Sequence, residues 1–84
     1  MVIENVVSTD KFIRDVKRLK DKNVRNRIED VVKRIITNPG TGKPLKYGLR
    51  GERTVRIPPY RLIYAVTGSK LFLLRFEHRD EVYG

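Results

Sequence analysis

Apolar residues recur along the chain with two different spacings, and the change from one to the other divides it in half. Val2, Ile3, Val6 and Val7 predict a short opening strand, with Asn5 as an irregularity. Ser8-Thr9-Asp10 follows with side-chain oxygens suited to a helix N-cap. A first helix is predicted from there to about Lys20, with Phe12, Ile13, Val16 and Leu19 on one face. Asp21-Lys22-Asn23 interrupts the pattern. In the second helix Val24, Ile28, Val31, Val32, Ile35 and Ile36 recur at intervals of three and four and make a broad apolar stripe. Asn38-Pro39-Gly40 ends it, since proline cannot continue the hydrogen-bond ladder.

Gly40 to Gly51 reads as a loop and holds four of the six glycines. After Gly51 the spacing becomes two. Val55 and Ile57 share one side of a strand and Arg56 the other, and Pro58-Pro59 imposes a turn or bulge. Tyr60 to Val66 resumes as a strand, Thr67-Gly68-Ser69-Lys70 reads as a hairpin turn, and Leu71 to Phe76 makes the next strand. The predicted order is a strand, a helical hairpin and a three-stranded antiparallel meander. That is an α+β class, with the helices packed on one face of a small, mainly antiparallel sheet. At 84 residues the chain suits one domain, spanning 1–84.

Charge narrows the partners. Nineteen Lys and Arg stand against ten Asp and Glu, a net charge of +9. Such an excess points to a polyanion: RNA, DNA, an anionic membrane or an acidic protein. The distribution is uneven. Ser8 to Asn38 carries ten basic and five acidic residues intermixed, the pattern of a solvated outer face. Lys43 to Arg75 carries eight basic residues and Glu52 as the only acid, so the sheet half is the better place for a positive groove. Tyr47, Tyr60, Tyr64 and Tyr83 lie in this half, and aromatic rings among arginines can stack bases. For Tyr64, ordinary sheet packing is the stronger expectation.

Several chemistries are excluded or disfavoured. There is no cysteine, which removes disulfides, thiol catalysis and thiolate metal sites. One histidine and scattered carboxylates argue against a dedicated metal centre, and no cofactor is expected. The stretch G-T-G-K-P resembles a phosphate-binding loop only superficially. Thr37 stands where the first glycine is needed, and Pro44 replaces the metal-binding Ser or Thr. No apolar run approaches the roughly 20 residues that span a membrane. The opening Met-Val-Ile-Glu lacks signal-peptide features, so a soluble, cytoplasmic protein is expected.

Local text then points to a family. Leu49 to Val66, L-R-G-E-R-T-V-R-I-P-P-Y-R-L-I-Y-A-V, resembles the central strands of RelE/ParE-type toxins. The ending H-R-D-E-V-Y, His78 to Tyr83, looks like that of the RelE branch, and the order of elements extends the likeness over nearly the whole chain. The resemblance implies the toxin of a toxin–antitoxin pair, acting as a ribosome-dependent mRNA endonuclease. It implies attack of the ribose 2′-hydroxyl on the adjacent phosphate without a metal. It also implies an antitoxin partner that blocks the groove and brings the pair to operator DNA.

Such a reaction needs a group to take the 2′-hydroxyl proton, a positive charge on the phosphate, and a proton for the leaving oxygen. Arg61 is the first candidate for the phosphate, because a guanidinium grips two oxygens in fixed geometry, and its family position matches a phosphate-binding arginine. Arg56 falls where some RelE toxins carry a lysine assigned as general base. Arginine is a poor base, so its expected role is electrostatic. Thr54 replaces another basic residue of that branch. Arg79 matches a catalytic arginine beside the leaving group, and Tyr83 a terminal aromatic that orients the nucleotide. His78 alone titrates near neutrality when unperturbed and is the candidate acid or base. Lys43, Lys46, Arg50, Arg53 and Arg75 are candidate RNA contacts. Two other functions remain open at this point: a ParE-like gyrase inhibitor, which needs no such C-terminal cluster, and a non-catalytic basic nucleic-acid-binding co-repressor.

Overall fold

The structure is a computed structural model that describes residues 2–45 and 51–79. Strand β1 (Asn5–Ser8) leads into helices α1 (Asp10–Lys17) and α2 (Lys22–Thr37), followed by β2 (Lys43–Pro44), β3 (Glu52–Ile57), β4 (Tyr60–Thr67) and β5 (Lys70–His78). The strands form one sheet in the order β1-β5-β4-β3-β2. The meander β3-β4-β5 is antiparallel, as expected, and β1 joins it parallel to β5. The α+β class and the helices on one sheet face stand.

Several boundaries differ from the sequence reading, among them the last strand, which runs on past Phe76 to His78. The opening strand lacks Val2 and Ile3, which precede the paired residues. The first helix stops at Lys17, and Leu19 is buried from the turn that follows. The supposed loop after Gly40 contains β2, whose two residues pair with Arg53 and Thr54. A strand of two residues has no periodicity to read; the pairing comes from β3.

One core lies between the helices and the sheet. Phe12, Leu19, Val24, Ile28, Val31 and Ile35 meet Ile57, Leu62, Tyr64, Leu71, Leu73 and Phe76. The helical stripes are narrower than their apolar letters suggested, since Ile13 and Ile36 are exposed. Ile63 is fully buried but belongs to the opposite sheet face, level with its partners Thr54 and Arg75.

An irregularity in β5 decides what faces where. Ile63 is opposite Arg75 while Tyr64 is opposite Leu73, so Leu74 is an extra residue, a β-bulge. Strict alternation from Leu71 and Leu73 would send Arg75 into the core. The bulge instead puts Phe76 there and turns Arg75 and Glu77 to the open face.

Side chains of the first helix hold this bulge. Thr9 caps α1 by accepting the Phe12 N–H, and its own Oγ1 donates to the Leu74 carbonyl at 2.6 Å. On the adjacent strand, level with the bulge, the Tyr64 hydroxyl donates to the Pro39 carbonyl and accepts the Gly42 N–H, both at 2.8 Å. Gly42 is required by contact: a Cβ there would lie 2.8 Å from Tyr64 Cε1 and 2.9 Å from the Thr54 carbonyl. Tyr64 is thus a core residue, as the packing expectation had it.

Candidate functional site: the open face of the sheet

Alternation on β3 brings Thr54 and Arg56 to the face away from the helices, together with Glu52. Arg61 and Ile63 of β4 lie beside them, then Arg75 and Glu77 of β5. Arg56 is the direct cross-strand partner of Arg61, and Arg61 is in turn the partner of Glu77. Opposing residues sit about 4.5–5.5 Å apart, and like charges placed so destabilise a sheet. Two adjacent guanidiniums therefore attract an anion. Arg61 Nε is buried without a hydrogen-bond partner among the described residues, and so is Thr54 Oγ1. Buried polar atoms are rarely left so, and both of these atoms belong to this face.

The nearby carboxylates are engaged elsewhere. Arg75 Nη2 donates to Glu52 Oε1 at 2.9 Å, Nη1 to Glu52 Oε2 at 3.4 Å, and Nε to Glu77 Oε1 at 2.9 Å. Hydrogen bonding to Glu52 is the main reason that the Arg75 guanidinium holds its proton more tightly than usual, against the opposing effect of burial. Arg75, expected as an RNA contact, has its charge balanced by these two acids. Among the described residues no ion pair joins Glu77 to Arg61, although the two are direct partners.

The remaining candidates are spread out. Arg53 faces the helix side, and its Nη1 donates to the Gly42 carbonyl at 2.6 Å. It therefore supports the turn after α2 rather than the arginine pair. Lys43 is exposed on the edge strand β2. His78 follows the phase of Phe76: it is the partner of Tyr60, with ring centroids 5.2 Å apart in an edge-on arrangement. Tyr60 itself stacks on the core ring of Phe76 at 4.9 Å. Arg79 is exposed, and its backbone N–H donates to the Pro59 carbonyl at 2.8 Å. That bond keeps Arg79 at the sheet end that carries Arg56 and Arg61. Lys46, Arg50 and Tyr83 lie outside the described residues. Among the described residues, no group of three or more His, Cys, Asp and Glu is arranged to hold a metal ion.

A family model described as the ParE toxin of the type II toxin–antitoxin system parDE matches residues 6–83. The chain belongs to that toxin family. Solved structures agree on the fold. The toxin covers 92% of itself and 94% of a chain in the RelB-RelE antitoxin–toxin complex of Methanococcus jannaschii, with 22% identity and a TM-score of 0.75. It covers 100% of itself and 100% of a chain in the DinJ-YafQ complex of E. coli, with 22% identity and a TM-score of 0.75. For the RelBE2 complex of Mycobacterium tuberculosis the figures are 28% identity, 93% and 100% coverage, and a TM-score of 0.75. No curated protein sequence matches significantly. The RelE/ParE superfamily is thereby established for this toxin. The family description bears the ParE name and these three structures bear RelE and YafQ names.

Sequence reasoning did not place Glu77 among the site residues and allowed it only as an ion-pair partner for Arg61. It stands one place before His78 and looks like an unremarkable surface acid. The strand register makes it the direct partner of Arg61.

Proposed function

We propose that this toxin is a ribosome-dependent mRNA endonuclease that cuts by attack of a ribose 2′-hydroxyl on the adjacent phosphate. The observation that carries the reading is the Arg56–Arg61 pair on the open face, with Arg61 Nε buried and lacking a partner among the described residues. A phosphate turning pentacoordinate gains negative charge. A guanidinium that meets the phosphate stabilises that charge. Arg61 grips the phosphate oxygens and Arg56 adds positive potential beside it. Arg79 at the same end of the sheet faces the leaving oxygen, and Tyr83 orients the nucleotide. Lys43, with Lys46 and Arg50, meets RNA backbone.

In this reading the toxin works in the cytoplasm and is held inactive by a cognate antitoxin. Support for that partner comes from the three solved relatives, each a toxin–antitoxin complex by its description. Through the antitoxin the pair reaches operator DNA.

The test is a translation reaction containing the purified toxin, with the 5′ ends of the mRNA mapped afterwards. Cuts confined to ribosome-occupied codons are expected, and Arg61→Ala lowers their rate by about 10²–10³-fold, the scale of losing one charge-stabilising group. The ParE name of the family model favours a second reading, inhibition of DNA gyrase through protein binding. Intact mRNA together with gyrase-linked DNA breaks is the outcome that selects it.

A further inference from the structure

The endonuclease reading leaves one role unfilled on this face: the group that takes the 2′-hydroxyl proton. A guanidinium is a poor base, so Arg56, Arg61 and Arg75 offer no acceptor. Thr54 and Ile63 offer no base. His78 lies in the phase of Phe76 with its ring edge-on to Tyr60, on the other side of the sheet from Arg61. The described side chains that share Arg61's face and can accept a proton are the two carboxylates, Glu52 and Glu77.

Their surroundings separate them. Glu52 is buried, at 7% exposure, and gives both oxygens to Arg75. It is also displaced along the sheet, being the partner of Ala65 rather than of Arg61. Glu77 is more open, with a side chain 22% exposed against 8% for that of Glu52. It meets Arg75 through one oxygen, Oε1, and it is the direct partner of Arg61. A carboxylate beside a guanidinium whose Nε has no partner among the described residues would ordinarily close onto it and cancel its charge. Arg75 prevents this by occupying Glu77 from the other side. The result is an acid held next to the phosphate-gripping arginine.

We infer, on the basis of the endonuclease reading, that the Glu77 carboxylate takes the 2′-hydroxyl proton and that Arg75 is its positioning residue. The 2′-oxygen bonds to phosphorus as its proton passes to Glu77. The bond from phosphorus to the 5′-oxygen breaks, and that oxygen receives a proton from solvent. Glu77 then returns its proton to solvent. The products are a cyclic phosphate and a 5′-hydroxyl; no water or other reactant is consumed. The ligand class this implies is narrow: RNA with a free 2′-hydroxyl at the cut. A single 2′-deoxy substitution there abolishes cleavage and leaves binding intact.

The experiment measures single-turnover mRNA cleavage on programmed ribosomes across pH, for wild type, Glu77→Gln and Glu77→Asp. Ribosome affinity and thermal melting are measured in parallel. Glutamine keeps an oxygen for Arg75, so melting and affinity are expected unchanged while the rate falls by about 10²–10⁴-fold. Its rate also loses the rise with pH that marks a carboxylate's titration. Glu77→Asp keeps that rise at a reduced rate, which distinguishes a proton acceptor from a mere structural link. Wild-type cleavage with Glu77→Gln within about threefold of it overturns this inference and leaves the endonuclease reading standing. A gain of cleavage defects in Gln and Asp alike with no change in the pH profile overturns it as well. Intact mRNA with the wild-type toxin overturns both.

Discussion

The Asp15 carboxylate accepts the backbone N–H of Phe76, with Oδ2 3.1 Å from the nitrogen. The contact links the first helix to the last strand across 61 residues of sequence. Pairing of β1 with β5 ends at Ser8 and Leu73, where the chain leaves the sheet for α1. Among the described residues no strand neighbours the outer edge of β5 beyond that point, yet its carbonyl at Leu74 and N–H at Phe76 still need partners. Thr9 and Asp15 supply them. The segment so held leads directly into Glu77, His78 and Arg79. Replacing Asp15 by Ala leaves the Phe76 N–H without this acceptor, and the expected loss is about 1–3 kcal/mol. In urea the unfolding midpoint falls by the corresponding amount, while Asp15→Asn retains most of the stability through its amide oxygen.

Tyr64 ties the turn after α2 to the core. Its hydroxyl is both donor to Pro39 and acceptor from Gly42, in a site where the ring is fully buried. Tyr64→Phe keeps the ring and removes both bonds. A loss of about 1–3 kcal/mol is expected, read as a lower midpoint with unchanged slope in denaturant unfolding.

Gly42→Ala tests the same corner by crowding rather than deletion. The new methyl would press on the Tyr64 ring and the Thr54 carbonyl, and the latter is backbone that cannot swing aside. Overpacking of this kind costs about 1–3 kcal/mol. Combining it with Tyr64→Phe gives less than the sum, because the two changes share one contact. Differential scanning calorimetry on the two single variants and the double variant checks this.

Arg75→Met leaves Glu52 buried beside an apolar side chain. Breaking a buried ion pair from one side costs about 3–5 kcal/mol, and partial exposure of Arg75 brings the expected loss to about 2–4 kcal/mol. Adding Glu52→Leu removes the stranded charge and recovers most of it. Thermal melting reads the recovery. Cleavage stays low in the double variant, because Glu77 has still lost the guanidinium that holds it.

His78→Gln separates proximity in sequence from proximity in space. The ring sits against Tyr60 on the helix side of the sheet, so a cleavage rate within about tenfold of wild type is expected. A loss as large as that of Arg61→Ala in the mapped-cleavage assay would return the histidine to the reaction.

Much of this was legible in the letters. The helical stripe from Val24 to Ile35, the stop at Asn38-Pro39-Gly40 and the Gly68 turn, where φ is +60°, all follow from spacing and backbone chemistry acting over a few residues. The basic character of the sheet half was equally plain. Two-residue β2 was not, because an element that short owes its form to the strand it joins.

The choice of face lay beyond the sequence. Leu71, Phe72, Leu73, Leu74, Arg75 and Phe76 contain no letter that announces a bulge, and simple alternation sends Arg75 inward. Only the folded chain, with Thr9 bound to the Leu74 carbonyl and Asp15 to the Phe76 N–H, selects the register in which Phe76 fills the core. The sequence alone determined that a basic sheet would lie under two helices, since local spacing is enough to make amphipathic elements. Tertiary structure decided that Glu77, and not His78, stands beside Arg61, because one extra residue in a strand reverses every side chain after it.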